Sequence, residues 1–473
     1  MSARQAFVYV HFLQRNIMIE LLIGVVVTVL VGRYIIKGYS ATGVLMAGGL
    51  LLLLISVLMG KSVLPASAKS TGWGLTDIVE YVKILLMSRG GDLGMMIMVL
   101  CGFAAYMTHI GANDVVVKLV SRPLKVINSP YLLMIAAYFV ACLMSLAVSS
   151  ATGLGVLLMA TLFPVMVNVG ISRGAAAAIC ALPAALILSP TSGDVVLAAQ
   201  ASQMKLVDFA FKVTLPISIA AIVSMAIAHF FWQRYIDQKE NISHEMVEAK
   251  DIETNALRLY AILPFTPIIG VLIFDGKWGP ELHIITILVI CMLLAAMCEF
   301  LRFFNAKTIY AGLDVAYKGM AEAFSSVVVL LVAAGVFAQG LSTIGFISGL
   351  IGLVQSFGSG ALLMMLMLML MLVLVVITML AAMITGSGNA PFYAFVELIP
   401  KLASQMGINP AYLAIPMLQA SNLGRTISPV SGVVVAVAGM AKASPFEVVK
   451  RTSVPVLVGL IVVVVATEIL IPA

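Results

Sequence analysis

The chain has 473 residues, 62% of them hydrophobic and only 10% charged, against about 25% charged residues in a soluble globular chain. That balance excludes a soluble enzyme or a string of soluble domains and predicts an all-α polytopic membrane protein. The net charge of +6 comes from basic residues scattered through short loops, which is orientation information and not the footprint of a nucleic-acid binder.

Residues 1–17 are polar and aromatic (Arg4, Gln5, His11, Gln14, Arg15) and read as an N-terminal extension, with Met18 a candidate start. A first membrane repeat follows over 18–232, with spans expected at 19–36, 41–59, 91–111, 173–203 and 206–232. Runs of about 18 or more apolar residues suffice to cross a bilayer. The amphipathic segment 76–90 reads as an interfacial helix. Residues 131–169 form a long apolar stretch folded around the polar tip Ser149-Ser150-Ala151-Thr152-Gly153. Residues 233–257 carry Asp237, Glu240, Glu245, Glu248, Asp251 and Glu253 and read as a solvated linker. A second membrane repeat over 258–473 has spans at 258–275, 283–303, 325–350, 409–441 and 446–471, and a second amphipathic segment at 312–324. Its long apolar stretch, 361–404, surrounds Thr385-Gly386-Ser387-Gly388-Asn389. Both tips lack Lys, Arg and Glu, as expected of re-entrant hairpins shielded from lipid. The alternative, two full spans joined by a surface turn, leaves the overall topology the same.

The two halves match. The tips recur, and about 40 residues after each comes a second break, Ser189-Pro190-Thr191-Ser192-Gly193-Asp194 and Ser428-Pro429-Val430-Ser431-Gly432. Flanking pairs keep an offset of 236 to 239 residues: Pro164 with Pro400, Gly170 with Gly407, Asp208 with Glu447, Pro216 with Pro455. Five spans per half is an odd number, so the second half runs upside down. Inverted repeats with broken helices are the signature of a secondary transporter. Sixteen Lys and Arg fall in loops on one side, ten on the other, and the remaining one of the 27 is Arg425. The richer side is expected to be cytoplasmic, which puts the 233–257 linker there and both termini on the opposite face.

A helix broken inside a bilayer exposes N–H and C=O groups that only protein, an ion or a wet cavity can satisfy. N-termini at such breaks suit a carboxylate, and Ser, Thr and Asn there can cap the helix or reach a substrate. The candidate substrate-binding residues are therefore Ser149, Ser150, Thr152 and Gly153 at the first tip, Thr191 and Ser192 at the first break, Thr385, Ser387 and Asn389 at the second tip, and Asn422, Arg425, Thr426, Ser428 and Ser431 around the second break. Asp194 and Arg425 interrupt the symmetry. Asp194 lies four residues after Pro190 and Arg425 four before Pro429. An ionisable residue inside a membrane is a functional candidate by default. Arg425 can hold a carboxylate through a bidentate fork, and Asp194 can carry a proton or ligate a cation. The competing reading is a structural Asp194–Arg425 ion pair.

Other residues carry weaker signals. The five cysteines (Cys101, Cys142, Cys180, Cys291, Cys298) lie in apolar runs and read as small buried hydrophobes. His109 and His229 read as interfacial, the methionine run at 364–371 as lipid- or scaffold-facing, and Asp77, Glu80, Asp314 and Glu322 as solvated faces. No metal or cofactor is expected. The absence of Walker A, zinc-ligand and nucleophile-elbow motifs argues against ATP-driven transport and hydrolysis.

From about Met18 on, the chain resembles the anaerobic C4-dicarboxylate carrier family of the DcuC type. The resemblance rests on DIVEYVKILLMSRGGDLGMM, YFVACLMSLAVSSATGLGVLLMATLFPVMVNVGISRGAAAAIC, SPTSGDVVLAAQAS, TGSGNAPFYAFVELIPKLA and PMLQASNLGRTISPVSGVVVAVAGMAK. It implies a bacterial inner-membrane carrier for succinate, fumarate, malate or aspartate, with succinate efflux in fermentation, fumarate/succinate exchange and proton-coupled movement in its repertoire. The wider ion-transporter superfamily places substrate between two hairpins with Ser-Asn-Thr tips and works as elevator-type homodimers. This chain departs from those tips, which favours a proton over sodium as the coupling ion. A carrier of another organic anion, such as a tricarboxylate or acidic amino acid, and an anion channel are the alternative functions.

Overall fold

The computed structural model describes residues 3–37, 39–65, 68–121, 127, 129–148, 150–240, 255–274, 276, 279–346, 349 and 361–471. Among these every regular element is helical, and eight helices are long and apolar enough to cross a membrane.

The first half opens with α1 (Ala3–Ile36) and α2 (Ala41–Leu58), then α3 (Gly74–Ser88), which runs through a π-helical turn (Arg89–Gly94) into α4 (Met95–His109). Next come α5 (Ala112–Ser121), α6 (Pro130–Met144), α7 (Ala151–Asn168), α8 (Arg173–Ala181), α9 (Gly193–Ala201) and, after a π turn at Asp208–Thr214, α10 (Leu215–Glu240). The second half has a 3-10 turn (Arg258–Phe265) leading into α11 (Thr266–Ile273), then α12 (Ile284–Phe303) and α13 (Ala306–Ala323). A π turn (Phe324–Val328) joins α13 to α14 (Val329–Ile344). The chain ends with α15 (Ala361–Thr385), α16 (Asn389–Val396), α17 (Ile399–Met406), α18 (Pro410–Thr426), α19 (Gly432–Ala441) and α20 (Pro445–Leu470).

The helix starts are written in the sequence. Ser150 caps α7 by accepting from Gly153 N at 3.1 Å, Ser172 caps α8 from Ala175 N at 3.2 Å, Asn409 caps α18 from Ala411 N at 3.0 Å, and Ser444 caps α20 from Glu447 N at 3.1 Å. Pro130, Pro410 and Pro445 sit in first turns, where a missing N–H is harmless. Pro183, Pro190 and Pro429 fall instead between helices, where the lost donor prevents α8 and α18 from running on. Gly170 (φ +102°) and Gly407 (φ +70°) turn the chain after α7 and α17 in the left-handed region that favours glycine.

Close helix crossings depend on small residues. A Cβ on Gly49 of α2 would stand 2.6 Å from the backbone N of Phe337 on α14, and one on Gly424 of α18 would stand 2.6 Å from the Met379 carbonyl of α15. The α2–α14 crossing, with α4 on α13 and α10 on α20, ties first-half to second-half helices, while the α15–α18 crossing lies within the second half.

Several expectations change. Residues 233–240 of the expected linker continue α10, and 241–254 lie outside the described residues. Asp237 is not solvated. It accepts from Arg451 Nη1 at 2.7 Å, Ser172 Oγ at 2.6 Å and Tyr131 OH at 3.3 Å. Arg451, counted above as a loop residue, is fully buried on α20, with Gln233 Oε1 at 3.2 Å, Glu240 at 3.3 Å and Glu447 at 3.6 Å as further partners. Because α10 continues to Glu240, His229 lies inside the helix and is fully buried against Tyr138 and Gln233, not at an interface. Asp77 is buried too, since its carboxylate closes the turn before α3 by accepting from Thr71 N and Ser70 Oγ, each at 2.7 Å. Met371 is fully buried while Met365 is 61% exposed, so the methionine run has an inner and an outer face. The span expected at 258–275 is short because Pro264 and Pro267 interrupt its ladder. All five cysteines are free.

Candidate substrate site

The breaks converge on a cavity of about 240 Å³. Its polar wall is Ser150, Thr191, Ser192, Asp194, Asn389, Tyr393, Asn422 and Arg425; Ile97, Leu100, Cys101, Ala104, Ala151, Ala184, Ile187 and Val327 give it an apolar side. Three helices begin at this wall. Ser150 and Ser192 are the N-cap positions of α7 and α9, and Asn389 is the first residue of α16. Each N-terminus contributes roughly half a positive charge and unpaired N–H donors, so the site attracts anions.

Arg425 adds the full charge. It closes the last turn of α18, and its Nη2 donates to the Ala184 carbonyl at 2.8 Å, which aims the guanidinium across the first break. Its Nε finds no partner, so donors remain for a ligand. Asp194, 3% exposed, sits in the first turn of α9. Its Oδ1 accepts from Tyr393 OH at 2.5 Å and its Oδ2 from Asn422 Nδ2 at 3.2 Å. Asp194 and Arg425 face the same cavity without an ion pair between them, so the structural-pair reading does not describe this state. Gly388 is small for a reason: a Cβ there would stand 2.6 Å from Asn422 Oδ1 and 3.0 Å from Arg425 Nη1.

Of the sequence-predicted residues, Ser150, Thr191, Ser192, Asp194, Asn389, Asn422 and Arg425 line the cavity. Ser149 lies outside the described residues. The others sit behind the wall. Thr152 faces Gly432 of α19, and Gly153 donates its N–H to Ser150. Thr385 Oγ1 donates to Ala381 O at 2.7 Å, Ser387 Oγ accepts from Ala390 N at 3.2 Å, and Thr426 Oγ1 donates to Leu423 O at 2.7 Å. Short hydroxyl side chains at helix ends bond their own backbone, and these three do not line the cavity. Ser428 and Ser431 are fully buried with unpartnered hydroxyls, and the second tip presses on them: a Cβ on Gly386 would stand 2.9 Å from Ser431 N.

Tyr393 and Ala184 were not anticipated. Tyr393 follows Asn389 by four residues, the spacing that puts two side chains on one helix face, so that signal was available. Ala184 acts through its carbonyl and leaves no trace in its side chain. Outside the cavity, Arg89 of the first π turn pairs with Glu397, just after α16, at 2.5 Å, and Lys401 donates to Gln339 of α14 at 3.0 Å. These contacts brace the second tip against α3 and α14.

The fold and this site define a multi-pass membrane transporter of small anions. Residues 19–472 match the family described as DcuC, the C4-dicarboxylate anaerobic carrier, and the chain belongs to that family. It is 79% identical over 454 residues to the anaerobic C4-dicarboxylate transporter DcuC of Escherichia coli (strain K12), covering 96% of this chain and 97% of that one. It is 59% identical over 458 residues to the probable anaerobic C4-dicarboxylate transporter DcuC of Vibrio cholerae, covering 96% and 98%. In fold it is similar to the crystal structure of the Alcanivorax borkumensis YdaH transporter, with a TM-score of 0.60 at 16% identity over 90% of this chain and 97% of that one. A second similar fold is MtrF of Neisseria gonorrhoeae, with a TM-score of 0.52 at 13% identity over 91% and 94%. The protein is a transporter and not an enzyme.

Proposed function

We propose that this protein is a secondary carrier for C4-dicarboxylates, among them succinate, fumarate, malate and aspartate, working chiefly as succinate efflux or fumarate/succinate exchange in the absence of oxygen. One observation carries the chemistry: Arg425 and three helix N-termini meet at a cavity that also holds Asp194. A dicarboxylate brings two negative charges, and helix ends alone supply about half a charge each. Arg425 takes one carboxylate through its free donors, and the N-termini of α7, α9 and α16 share the rest. Asp194 carries the coupling proton, which neutralises it while a dianion occupies the cavity.

In this reading the two membrane repeats, 18–232 and 258–473, are inverted relative to each other. The stretches around 150 and 387 are re-entrant hairpins, and α3 and α13 are arms that let a mobile unit slide in an elevator motion. The carrier sits in the bacterial inner membrane as a homodimer, with both termini periplasmic. The π turns that join each arm to its span occupy equivalent places in the two halves and touch each other, which supports this arrangement. Proteoliposomes loaded with succinate test the proposal. Labelled external succinate should accumulate by counterflow, saturably, and an imposed proton gradient should drive net movement where a sodium gradient does not. Flux that never saturates and shows no counterflow points to a channel and overturns it. For sidedness, a cysteine at Lys442 should resist impermeant thiol reagents in intact cells while one at Trp73 reacts; the reverse pattern inverts the topology.

A further inference from the structure

The corner of the cavity around Asp194 has more acceptors than donors. Asp194 receives one hydrogen bond on each oxygen, from Tyr393 and from Asn422, whereas a carboxylate offers about four acceptor positions. Asn422 Oδ1, on a fully buried side chain, finds no donor at all. Its orientation is set by the network, because Nδ2 lies between Asp194 Oδ2 at 3.2 Å and Leu418 O at 3.1 Å. Arg425 does not fill the need, since its hydrogen bond goes to Ala184. What this corner lacks is a compact cation with several donors. An alkylammonium group has three donors and one positive charge.

We propose that Asp194 and Asn422 form a subsite for the ammonium group of a 2-amino C4-dicarboxylate, so that the amino group of aspartate takes the place of the proton that Asp194 needs when succinate is bound. The inference rests on the carrier reading above. The charges balance. With succinate, two carboxylates face Arg425 and a neutral, protonated Asp194, leaving one net negative charge. With aspartate, two carboxylates and one ammonium face Arg425 and an ionised Asp194, again leaving one net negative charge. The proton that accompanies succinate comes from water on the loading side and returns to water on release; aspartate moves without it. The titratable or charged groups facing Asp194 are Tyr393 from α16, Arg425 from α18 and Cys101 from α4. Asp208 and Lys212, on the π turn packed beside α9, line a separate cleft at the far end of that helix with Ala199 and Gln200.

Proton counting in proteoliposomes of the full chain tests the proposal. At clamped membrane potential, the pH difference that balances a set gradient of labelled substrate gives the protons moved with it. Succinate should carry one proton more than aspartate, so each pH unit shifts the succinate equilibrium ratio about tenfold further. Both should respond equally to membrane potential. Malate, which has a hydroxyl where aspartate has its amino group, should count as succinate does. In Asp194→Asn the half-saturation ratio of aspartate to succinate should rise at least about tenfold, and the one-proton difference should vanish. Equal proton counts for aspartate and succinate in the wild type overturn the subsite, whatever the variant does. So does a wild type that exchanges succinate but neither moves aspartate nor is inhibited by it, and so does an Asp194→Asn carrier with wild-type selectivity. A wild type that moves neither acid overturns the carrier reading as well, which separates the two failures.

Discussion

Replacing Arg425 by glutamine removes the one full positive charge that the described residues place at the cavity, while keeping a side chain of similar reach. Truncating one partner of a hydrogen-bonded, desolvated charge pair costs about 2–5 kcal/mol. At about 1.4 kcal/mol per decade, that is roughly thirtyfold to several thousandfold in half-saturation. Arg425 is only partly buried, and the glutamine amide still donates, so the lower part of the range applies, roughly a hundredfold. The fold should survive. The Ala184 carbonyl loses its 2.8 Å partner, a cost of about 1–3 kcal/mol, but the new amide can reach it and no charge need be held in the bilayer. Arg425→Lys should recover little, because a point charge does not replace the planar fork. The assay is succinate/succinate exchange in proteoliposomes over a wide substrate range, with the chromatographic profile in detergent as the control for folding. A well-folded Arg425→Gln carrier with wild-type half-saturation refutes the assignment of Arg425 to substrate binding.

Three other perturbations follow from the same geometry. Gly388→Ala should weaken succinate exchange at least about tenfold, because the added methyl meets Asn422 and Arg425 at 2.6 and 3.0 Å; an unchanged half-saturation measured as above would show that the tip can give way. In a chain whose other cysteines are replaced, native Cys101 or a cysteine at Ala151 should be shielded from thiol reagents by succinate, since both line the cavity, whereas one at Ser387 should be indifferent; equal protection at all three would place the substrate elsewhere. Arg451→Met leaves Asp237 and Glu447 without the cation they share, while Glu240 keeps only Lys450, and should cost about 3–5 kcal/mol, seen as a lower thermal midpoint in detergent. Adding Asp237→Leu should restore part of that loss.

The composition, the repeated polar tips and the two charges beside the breaks were enough to read a transporter and to name seven residues that line the cavity. That reading works because a bilayer leaves few options: a broken apolar helix or a lone charge inside it needs a functional reason. The helix caps were legible for the same kind of reason, since Ser150, Ser172, Asn409 and Ser444 act on backbone only two or three residues away. Local chemistry of this kind travels with the sequence.

What the sequence could not decide was direction. Thr385, Ser387 and Thr426 are of the same residue types as Ser150 and Thr191, and Ser150 also caps its own helix, yet only Ser150 and Thr191 line the cavity. A shift of one residue along a helix turns a side chain by about 100°, and helix packing, such as that of α15 on α18 through Gly424, sets which way such side chains point. Asp194 and Arg425 are far apart in the chain, so whether they pair with each other or with Tyr393, Asn422 and Ala184 is settled where first-half and second-half helices cross. Arg451 shows the same limit. Its sequence position beside Lys450 suggests a solvated helix end, but burial against Asp237 of the other half turns it into the centre of a charge cluster that holds the two halves together.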